Sequence, residues 1–258
     1  MYGVSTLSII PVRAEPSDKS EQVTQLLFGD AYIIHDYLNE KPWLRIKSIF
    51  DEYEGYIALN QHNSVSESFF HAYIQSGHDV CMDDVALVDS KNATSIITLG
   101  STLPFLKGRT LQVDTQQFEF QGDLYSMPNQ SKEEHIKFIL LRFVNAPYLW
   151  GGRSLFGIDC SGYVQLVYKI LGYQLKRDAY QQVQHGNEIK NLTDTKTGDL
   201  VFFENNEGKI VHVGMILEEN KIIHAHGSVR IDIVDEKGIF NLTTKKYSHK
   251  FSTIKRIL

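Results

Sequence analysis

The chain has 258 residues, of which 42% are hydrophobic, and a formal net charge of −5 at pH 7. This length allows two or three small domains or one large one. The mild acidity and the absence of a basic patch exclude a typical nucleic-acid-binding protein, and no apolar run approaches the length that spans a membrane.

The N-terminus predicts a strand rather than a targeting segment. It reads Met-Tyr-Gly-Val-Ser-Thr-Leu-Ser-Ile-Ile-Pro, without the positive start and long apolar core of a signal peptide. The two cysteines, Cys81 and Cys160, are both expected to be reduced, as in a reducing compartment. If Met1 is the native start, we therefore expect a cytoplasmic protein.

Residues 1–62 carry short β-strand patterns separated by turn residues, which predicts a small barrel. The strands are predicted at residues 12–17, 22–28, 31–37, 43–49 and 55–59. The motifs Val-Arg-x-x-Pro-Ser, Leu-Phe-Gly-Asp, Trp-Leu-Arg-Ile and Gly-Tyr-Ile resemble a bacterial SH3 (SH3b) domain. Trp43 and Tyr56 are expected in the barrel core.

Residues 63–74 are predicted to be a linker with a short helical turn, and residues 75–127 repeat the style of the first unit. Five strands are predicted there, at residues 80–88, 96–98, 102–106, 110–113 and 119–124. This indicates a second, more divergent SH3b-like barrel, with Cys81 in its core.

The remaining residues, 129–258, predict an α+β domain with helices first and a sheet afterwards. A capping box at Ser131 starts a helix with an apolar stripe over residues 131–145, which Pro147 ends. Another short helix follows Lys176. Antiparallel strands are predicted at residues 199–203, 210–217, 221–225, 229–234 and 251–257.

Cys160 lies where a glycine-rich loop becomes an amphipathic helix. At such a position the helix dipole and free backbone N–H groups favour a thiolate and can stabilise an oxyanion. The alternative is a small buried cysteine in a core helix. His212 and His224 lie in two successive strand patterns, where one ring can act as the base and the other can orient it.

The order of these blocks is specific. Trp-Gly-Gly, Asp-Cys-Ser-Gly, Gly-Asp-Leu-Val-Phe-Phe and His-Val-Gly-Met, followed by a second histidine, resemble the NlpC/P60 family of papain-like cysteine peptidases. The resemblance implies Cys160 as nucleophile, His212 as base and His224 as the third polar residue, with His226 as its rival. It implies no cofactor, and zinc binding by His212, His224 and His226 is disfavoured.

Peptidases of this family that carry N-terminal SH3b domains resemble γ-D-glutamyl-L-diamino acid endopeptidases, and their motifs imply further ligands. Asp178 matches an acid that pairs with the α-ammonium of the substrate, although Ala179 replaces the serine of the Arg-Asp-Ser motif. Asp178 can equally cap the following helix. The other implied ligands are Glu21, Tyr53 (with Tyr56 as rival), Trp150, Asp159 and Ser161. Trp150 can instead pack the loop, and Asp159 can instead cap the Cys160 helix.

The resemblance thus implies a papain-like domain preceded by two SH3b-like barrels, with the first barrel close to the active-site groove. The implied activity is hydrolysis of the amide between γ-D-Glu and a diamino acid in murein tripeptides or tetrapeptides with a free N-terminal L-Ala, for cell-wall recycling. The alternatives are a non-catalytic protein that binds wall peptides and an exported peptidoglycan hydrolase. The pattern leaves open whether the diamino acid is meso-diaminopimelate or L-Lys.

Overall fold

The computed structural model describes residues 1–38, 42–124 and 132–258. The chain divides into two compact units, Met1–Ser126 with Trp150–Leu155 and Met127–Leu149 with Phe156–Leu258. The predicted helix start at Ser131 lies outside the described residues. Within the described ranges, no helix has the length and apolar character required to cross a lipid bilayer.

The first unit begins with a seven-stranded antiparallel sheet, hydrogen-bonded in the order β3-β2-β6-β5-β4-β1-β7. Its strands are β1 (Tyr2–Val4), β2 (Ile9–Arg13), β3 (Gln22–Leu27), β4 (Ala31–Tyr37), β5 (Trp43–Ser48), β6 (Glu54–Ala58) and β7 (Ser64–Val65). A 3-10 turn covers Leu59–Gln61. Trp43 is buried as predicted, whereas Tyr56 is only half-buried because Gly55 and Ile57, on the opposite face of β6, take the core positions.

The next region contains a helix and two small sheets. Helix α1 (Glu67–Gln75) begins at Ser66, whose hydroxyl accepts a hydrogen bond from the Phe69 N–H. The predicted linker is therefore a nine-residue helix rather than a single turn. The strands are β8 (Asp79–Val80), β9 (Val85–Asp89), β10 (Thr94–Thr98), β11 (Thr102–Leu103), β12 (Thr110–Val113) and β13 (Gln116–Phe120). They pair as β10-β9-β13-β12 and β11-β8.

The strand predicted over residues 80–88 is interrupted between β8 and β9. The Cys81 N–H donates to Ser101 O and the Gly100 N–H to Cys81 O, so the backbone groups at this point bond to a loop. Cys81 is buried, as predicted.

One core joins the two regions that were predicted to be separate barrels. Phe28 from the first sheet, Phe70 from α1 and Phe118 from β13 belong to the same cluster of buried residues. This common core explains why both regions form one compact unit. The domain boundaries derived from the sequence stay predictions.

The segment Trp150–Leu155 completes the first unit and includes β14 (Arg153–Ser154). Gly151 has φ +73°, and a Cβ added there would lie 2.2 Å from the carbonyl oxygen of Gln22. Only glycine fits this backbone conformation and this close approach to β3. The Trp-Gly-Gly motif therefore has a packing reason in addition to any role in binding.

The second unit begins with helix α2 (Lys132–Leu141). The prediction that this helix continues to residue 145, next to Pro147, is wrong. The N–H groups of residues 142–144 bond to carbonyls three residues back, and Asn145 then takes φ +71°, which ends the helical path. Helix α3 (Cys160–Ile170), helix α4 (Ala179–Gln182) and a 3-10 turn at Leu192–Asp194 follow.

A closed antiparallel barrel forms the rest of this unit. The short strand β15 (Gly157–Ile158) lies outside the barrel sheet. The strands of that sheet are β16 (Asn187–Ile189), β17 (Leu200–Glu204), β18 (Ile210–Glu218), β19 (Lys221–His226), β20 (Ser228–Asp235), β21 (Gly238–Asn241) and β22 (Lys246–Arg256). Strands β17 to β22 are joined in sequence, and β22 pairs with both β17 and β21. The sequence analysis missed β21, the short strand that closes the barrel, and β16, which pairs with the outer edge of β22.

Candidate active site

Cys160 is the first residue of helix α3. Asp159 is the N-cap, and its Oδ1 accepts a hydrogen bond of 2.7 Å from the Gly162 N–H. Every residue of this helix is buried, and the helix packs against β18 and β19. The reactive side chain is thus held at a helix N-terminus on a rigid element.

The thiol of Cys160 is only 8% exposed. Burial and the nearby charge of Asp159 raise the pKa of the thiol to about 12, although hydrogen bonds from the Val213 and Ser161 N–H groups and the charge of Arg177 favour the thiolate. The resting thiol is therefore protonated at neutral pH, and a nearby base must remove its proton for it to react.

His212 and His224 lie on adjacent barrel strands, β18 and β19. Their rings are buried, and His212 Nε2 lies 2.9 Å from His224 Nδ1. Gly214 makes this possible, since a Cβ there would lie 2.9 Å from the Cβ of His224. Burial, followed by the neighbouring imidazoles, holds the pKa of His212 well below its usual range.

Of the two candidates for the third residue, His224 is the one in contact with His212. His226, two residues further along β19, is exposed, whereas His224 makes the hydrogen bond to His212. The exposed ring of His226 lies at the end of its strand. The catalytic roles themselves stay predictions.

The sequence analysis missed two residues beyond His224. Asp232 Oδ2 on β20 lies 3.1 Å from His224 Nε2, and Arg230 forms two hydrogen bonds with the same carboxylate. A signal was present in the sequence, because Arg230 and Asp232 alternate with apolar residues along one strand. Such a spacing puts both charged side chains on one face.

His249 on β22 was also missed, and its ring stacks on that of His212 with centroids 4.0 Å apart. Nitrogens of His212, His224 and His249 lie within 4.8 Å of one another. In the described part of the chain this is the one group of side chains that could hold a metal ion. The zinc site that was disfavoured from the sequence contained His226 in place of His249. A bound cation would compete with the hydrogen bonds that His224 makes to His212 and Asp232.

Asp159 and Ser161, both predicted ligands, belong to a buried ion-pair network. Arg177 is 1% exposed and donates to both oxygens of Asp159, at 3.0 and 2.6 Å, and to the Ser161 hydroxyl at 3.0 Å. Their side chains therefore hold the start of α3 in place. This engagement favours the capping role for Asp159 over direct substrate binding.

Asp178 follows Arg177 and is the N-cap of α4, where it forms a capping box with Gln181. The side chain is half-buried and also interacts with the hydroxyl of Tyr180. The Asp178 N–H donates to Gln181 Oε1 at 3.2 Å, a bond that leaves the charge of the carboxylate in place. The amine-binding role of Asp178 stays a prediction.

Tyr148 is a further neighbour of Cys160 that the sequence analysis did not assign. Burial, then the charges of Cys160 and Asp159, raises the pKa of its hydroxyl to about 12. The phenol thus stays protonated and is available as a hydrogen-bond donor. Its position two residues before the Trp-Gly-Gly motif was the only signal.

Three predicted ligands lie in the first unit. Trp150 is 61% exposed, and its indole N–H donates to Glu21 Oε1 at 2.5 Å. Tyr53 lies just before β6, where its N–H donates to Asp51 Oδ1. Glu21 and Trp150 are thus brought together, while the assignment of Glu21 and Tyr53 to an amine pocket stays a prediction.

Two parts of the chain match known domain families. Residues 145–250 match the NlpC/P60 family, and residues 12–61 match the bacterial dipeptidyl-peptidase Sh3 domain. The γ-D-glutamyl-L-lysine dipeptidyl-peptidase of Bacillus subtilis (strain 168) is 46% identical over 85 residues, which are 32% of this chain and 28% of that protein. The matched part therefore spans less than a third of that relative.

Two longer similarities cover most of the chain. Dipeptidyl-peptidase 6 of Lysinibacillus sphaericus is 29% identical over 252 residues, which are 87% of this chain and 88% of that protein. The crystal structure of an NlpC/P60 family protein from Bacillus cereus ATCC 10987 aligns over 100% of both chains, with a TM-score of 0.82 and 18% identity. The latter shows the fold alone.

The predicted fold class is therefore confirmed: an SH3-like N-terminal domain precedes an α+β domain with the NlpC/P60 fold. The SH3 match ends at residue 61, so the SH3b-like character of residues 75–127 stays a prediction. The chain belongs to the NlpC/P60 family of peptidases, which are hydrolases, and combines that domain with a bacterial SH3 domain.

Proposed function

We propose that this protein is a cysteine peptidase that removes L-Ala-γ-D-Glu from murein peptides by hydrolysing the amide between γ-D-Glu and a diamino acid. The observation that carries the proposal is the contact between two buried elements, the start of helix α3 and strand β18. Cys160 starts a buried helix beside the Val213 N–H, and the residue before Val213, His212, is hydrogen-bonded to His224.

His212 has one nitrogen to offer the thiol, because Nε2 is the one bonded to His224. In the proposed reaction Nδ1 takes the proton from Cys160 as the sulfur attacks the amide carbon. The proton then passes to the departing amine as the C–N bond breaks and leaves a thioester. Water, deprotonated by His212, hydrolyses the thioester and restores the thiol.

The oxyanion formed in both steps requires hydrogen-bond donors. The Cys160 N–H lies in the first turn of α3, where amides have no acceptor within the helix. We assign it as one donor, and the protonated hydroxyl of Tyr148, which lies in the environment of Cys160, as a second.

The substrate class is supported by chemistry and by the names of the relatives. Three relatives are named dipeptidyl-peptidases, and two of them are named γ-D-glutamyl-L-lysine dipeptidyl-peptidases. Removal of a dipeptide from a free N-terminus requires a group that recognises the ammonium, and Asp178 is the proposed counter-ion. Stem peptides still attached to glycan lack this amine, so we propose a recycling role on released peptides, in the cytoplasm.

The test is incubation of the full chain with L-Ala-γ-D-Glu-L-Lys and with the meso-diaminopimelate tripeptide, followed by mass detection of the products. We expect L-Ala-γ-D-Glu and the free diamino acid from at least one of them. The matched control is Cys160→Ala, which should remain folded and release nothing. Turnover by this variant at the wild-type rate would exclude Cys160 as the nucleophile.

The N-acetylated tripeptide tests the amine recognition. A charge-assisted hydrogen bond contributes about 1.5–3 kcal/mol, so acetylation should lower kcat/KM by about 10- to 100-fold or more. Asp178→Asn should reduce the preference for the free amine while leaving the chemical step in place. Equal rates for the free and acetylated tripeptides on the wild type would reject the amine-dependent dipeptidyl-peptidase and leave a general murein peptidase.

A further inference from the structure

A buried carboxylate continues the pair of imidazoles into the barrel. Asp232 and His224 are both 0% exposed, and Asp232 Oδ2 lies 3.1 Å from His224 Nε2. From these contacts we propose that Asp232 is a positioning residue, which fixes the tautomers of His224 and His212 and so leaves His212 Nδ1 without a proton. The inference rests on the proposed roles of Cys160 and His212.

The carboxylate of Asp232 receives hydrogen bonds from donors on both oxygens. Arg230 Nε donates to Oδ2 at 2.7 Å and Nη2 to Oδ1 at 3.0 Å, while the Leu242 N–H donates to Oδ1 at 2.8 Å. An acid surrounded in this way is ionised, and an ionised carboxylate can only accept. His224 Nε2 must therefore carry a hydrogen.

The remaining proton positions on the rings of His224 and His212 follow from the proton on His224 Nε2. A neutral imidazole carries one N–H, so a proton on His224 Nε2 leaves Nδ1 as an acceptor. His212 Nε2, 2.9 Å away, must then be the donor in that bond. His212 consequently has a bare Nδ1, which is the state required of a base that accepts the thiol proton.

Asp232 sets the direction in which the hydrogen bonds of this network run, because His212 and His224 alone could bond with either ring as the donor. With the opposite tautomers, His224 Nδ1–H would donate to His212 Nε2, and the proton of His212 would occupy Nδ1. The base would then be blocked. Only an obligate acceptor at His224 Nε2 distinguishes the two arrangements, and Asp232 supplies it.

Arg230 stabilises the ionised carboxylate of Asp232 in this buried site. Its guanidinium is itself partly exposed and binds Asn241 Oδ1 and the Thr243 hydroxyl as well as Asp232. It offsets the charge of the carboxylate, so that His224 can remain neutral while it donates. A buried carboxylate without such a partner would instead draw a proton onto His224.

The Asp232→Asn substitution tests the two tautomer arrangements, because asparagine has nearly the same shape as aspartate. Each oxygen of the carboxylate faces two donors, so the amide NH₂ of asparagine must face donors wherever it lies. When it faces His224, that ring relieves the conflict by moving its proton to Nδ1. The variant should then hold His212 in the blocked tautomer.

We expect kcat for the murein tripeptide to fall by about 1,000- to 10,000-fold in Asp232→Asn, as for a misoriented catalytic imidazole, with KM nearly unchanged. The matched control is Asp235→Asn. That acid lies on the same strand and accepts backbone N–H groups from Lys237 and Gly238, outside the imidazole chain. Its activity should remain within twofold of wild type.

The direct readout is long-range ¹H–¹⁵N NMR of the histidine rings at neutral pH, which reports which nitrogen carries the proton. Wild type should show Nε2–H on both His224 and His212, and Asp232→Asn should show Nδ1–H on His224. This spectrum needs no substrate, so it remains decisive whether or not the protein cleaves murein peptides. If the variant fails to fold, the wild-type spectrum alone decides.

Two results would overturn the proposal. One is a wild-type spectrum with Nδ1–H, or with protons on both nitrogens, at His224. The other is a folded Asp232→Asn enzyme that shows Nδ1–H on His224 and keeps wild-type kcat. A wild type that has the expected tautomers and cleaves none of the murein peptides would reject the proposed function and leave the positioning role standing.

Discussion

The second unit contains two buried polar networks that are built from different chemistry. Before and after the cysteine, Asp159 and Arg177 form a bidentate ion pair that also binds Ser161. On the barrel strands, His212, His224 and Asp232 form a chain in which the central member is a neutral ring.

The contrast shows that one domain uses separate networks to fix the start of a helix and to exchange protons. A guanidinium cannot give up its proton at physiological pH, so the Asp159–Arg177 pair has a single protonation state and serves to fix the start of α3. Imidazoles can exchange protons near neutrality, and the barrel network aligns them. Substitutions in and around these two networks test this division.

His224→Ala should lower kcat/KM by about 1,000- to 10,000-fold, comparable to the loss of the orienting residue in a catalytic triad. The reason is that His212 loses the partner of its Nε2. Steady-state kinetics on the murein tripeptide measures it, and His226→Ala, an exposed neighbour on the same strand, is the control. Equal losses in the two variants would contradict the distinction between these histidines.

Arg177→Met should lower the free energy of unfolding by about 3–5 kcal/mol, because it leaves the buried carboxylate of Asp159 without its counter-ion. Urea unfolding measures the change. The double variant Asp159→Asn/Arg177→Met removes both charges and keeps an N-cap residue, so it should recover most of the loss. A single variant as stable as wild type would show that this network does not hold the helix.

Alkylation of Cys160 by iodoacetamide should become about tenfold faster per pH unit between pH 6 and 9, since only the thiolate reacts. The burial that raises the pKa of the thiol to about 12 and depresses that of His212 keeps the resting pair neutral in this range. A Cys81→Ala background makes Cys160 the sole thiol. A rate that is already at its plateau at pH 6 would indicate a thiolate–imidazolium pair instead.

His249→Phe should make stability less dependent on pH. Burial, with His224 and His226 nearby, lowers the pKa of His249 to about 4, against an ordinary value of 6.5 and despite the charge of Asp232. Between those values the unfolded chain binds more protons than the folded one, so stability is lost as pH falls from 6.5 to 4.

Thermal unfolding across this pH range measures the effect of His249→Phe. Phenylalanine keeps a ring against His212 and removes the titrating nitrogens. The slope of Tm against pH should therefore decrease, whereas His249→Ala should also lower Tm throughout because the stacked ring is lost. An unchanged slope in the phenylalanine variant would assign the acid sensitivity to other groups.

Much of this protein could be predicted from local pattern. Strands β3 to β6 of the first sheet, the position of Cys160 at a helix start and the histidines on successive strands all follow from periodicity and turn residues, which act over a few neighbours in the sequence. The order of the motifs around Cys160 and His212 was sufficient to predict the family. These features depend on short-range backbone preferences, and the sequence determined them by itself.

Tertiary structure alone decided which polar groups meet. His249 joins the candidate site because β22 closes the barrel by pairing with β17 and β21, which no local pattern specifies. Asp232 and Arg230 join it through the pairing of β20 with β19, in which Arg230 lies opposite His224. The same holds for Arg177, whose partner Asp159 lies 18 residues away. A buried carboxylate or guanidinium must find a partner across the fold, and the identity of that partner depends on long-range packing.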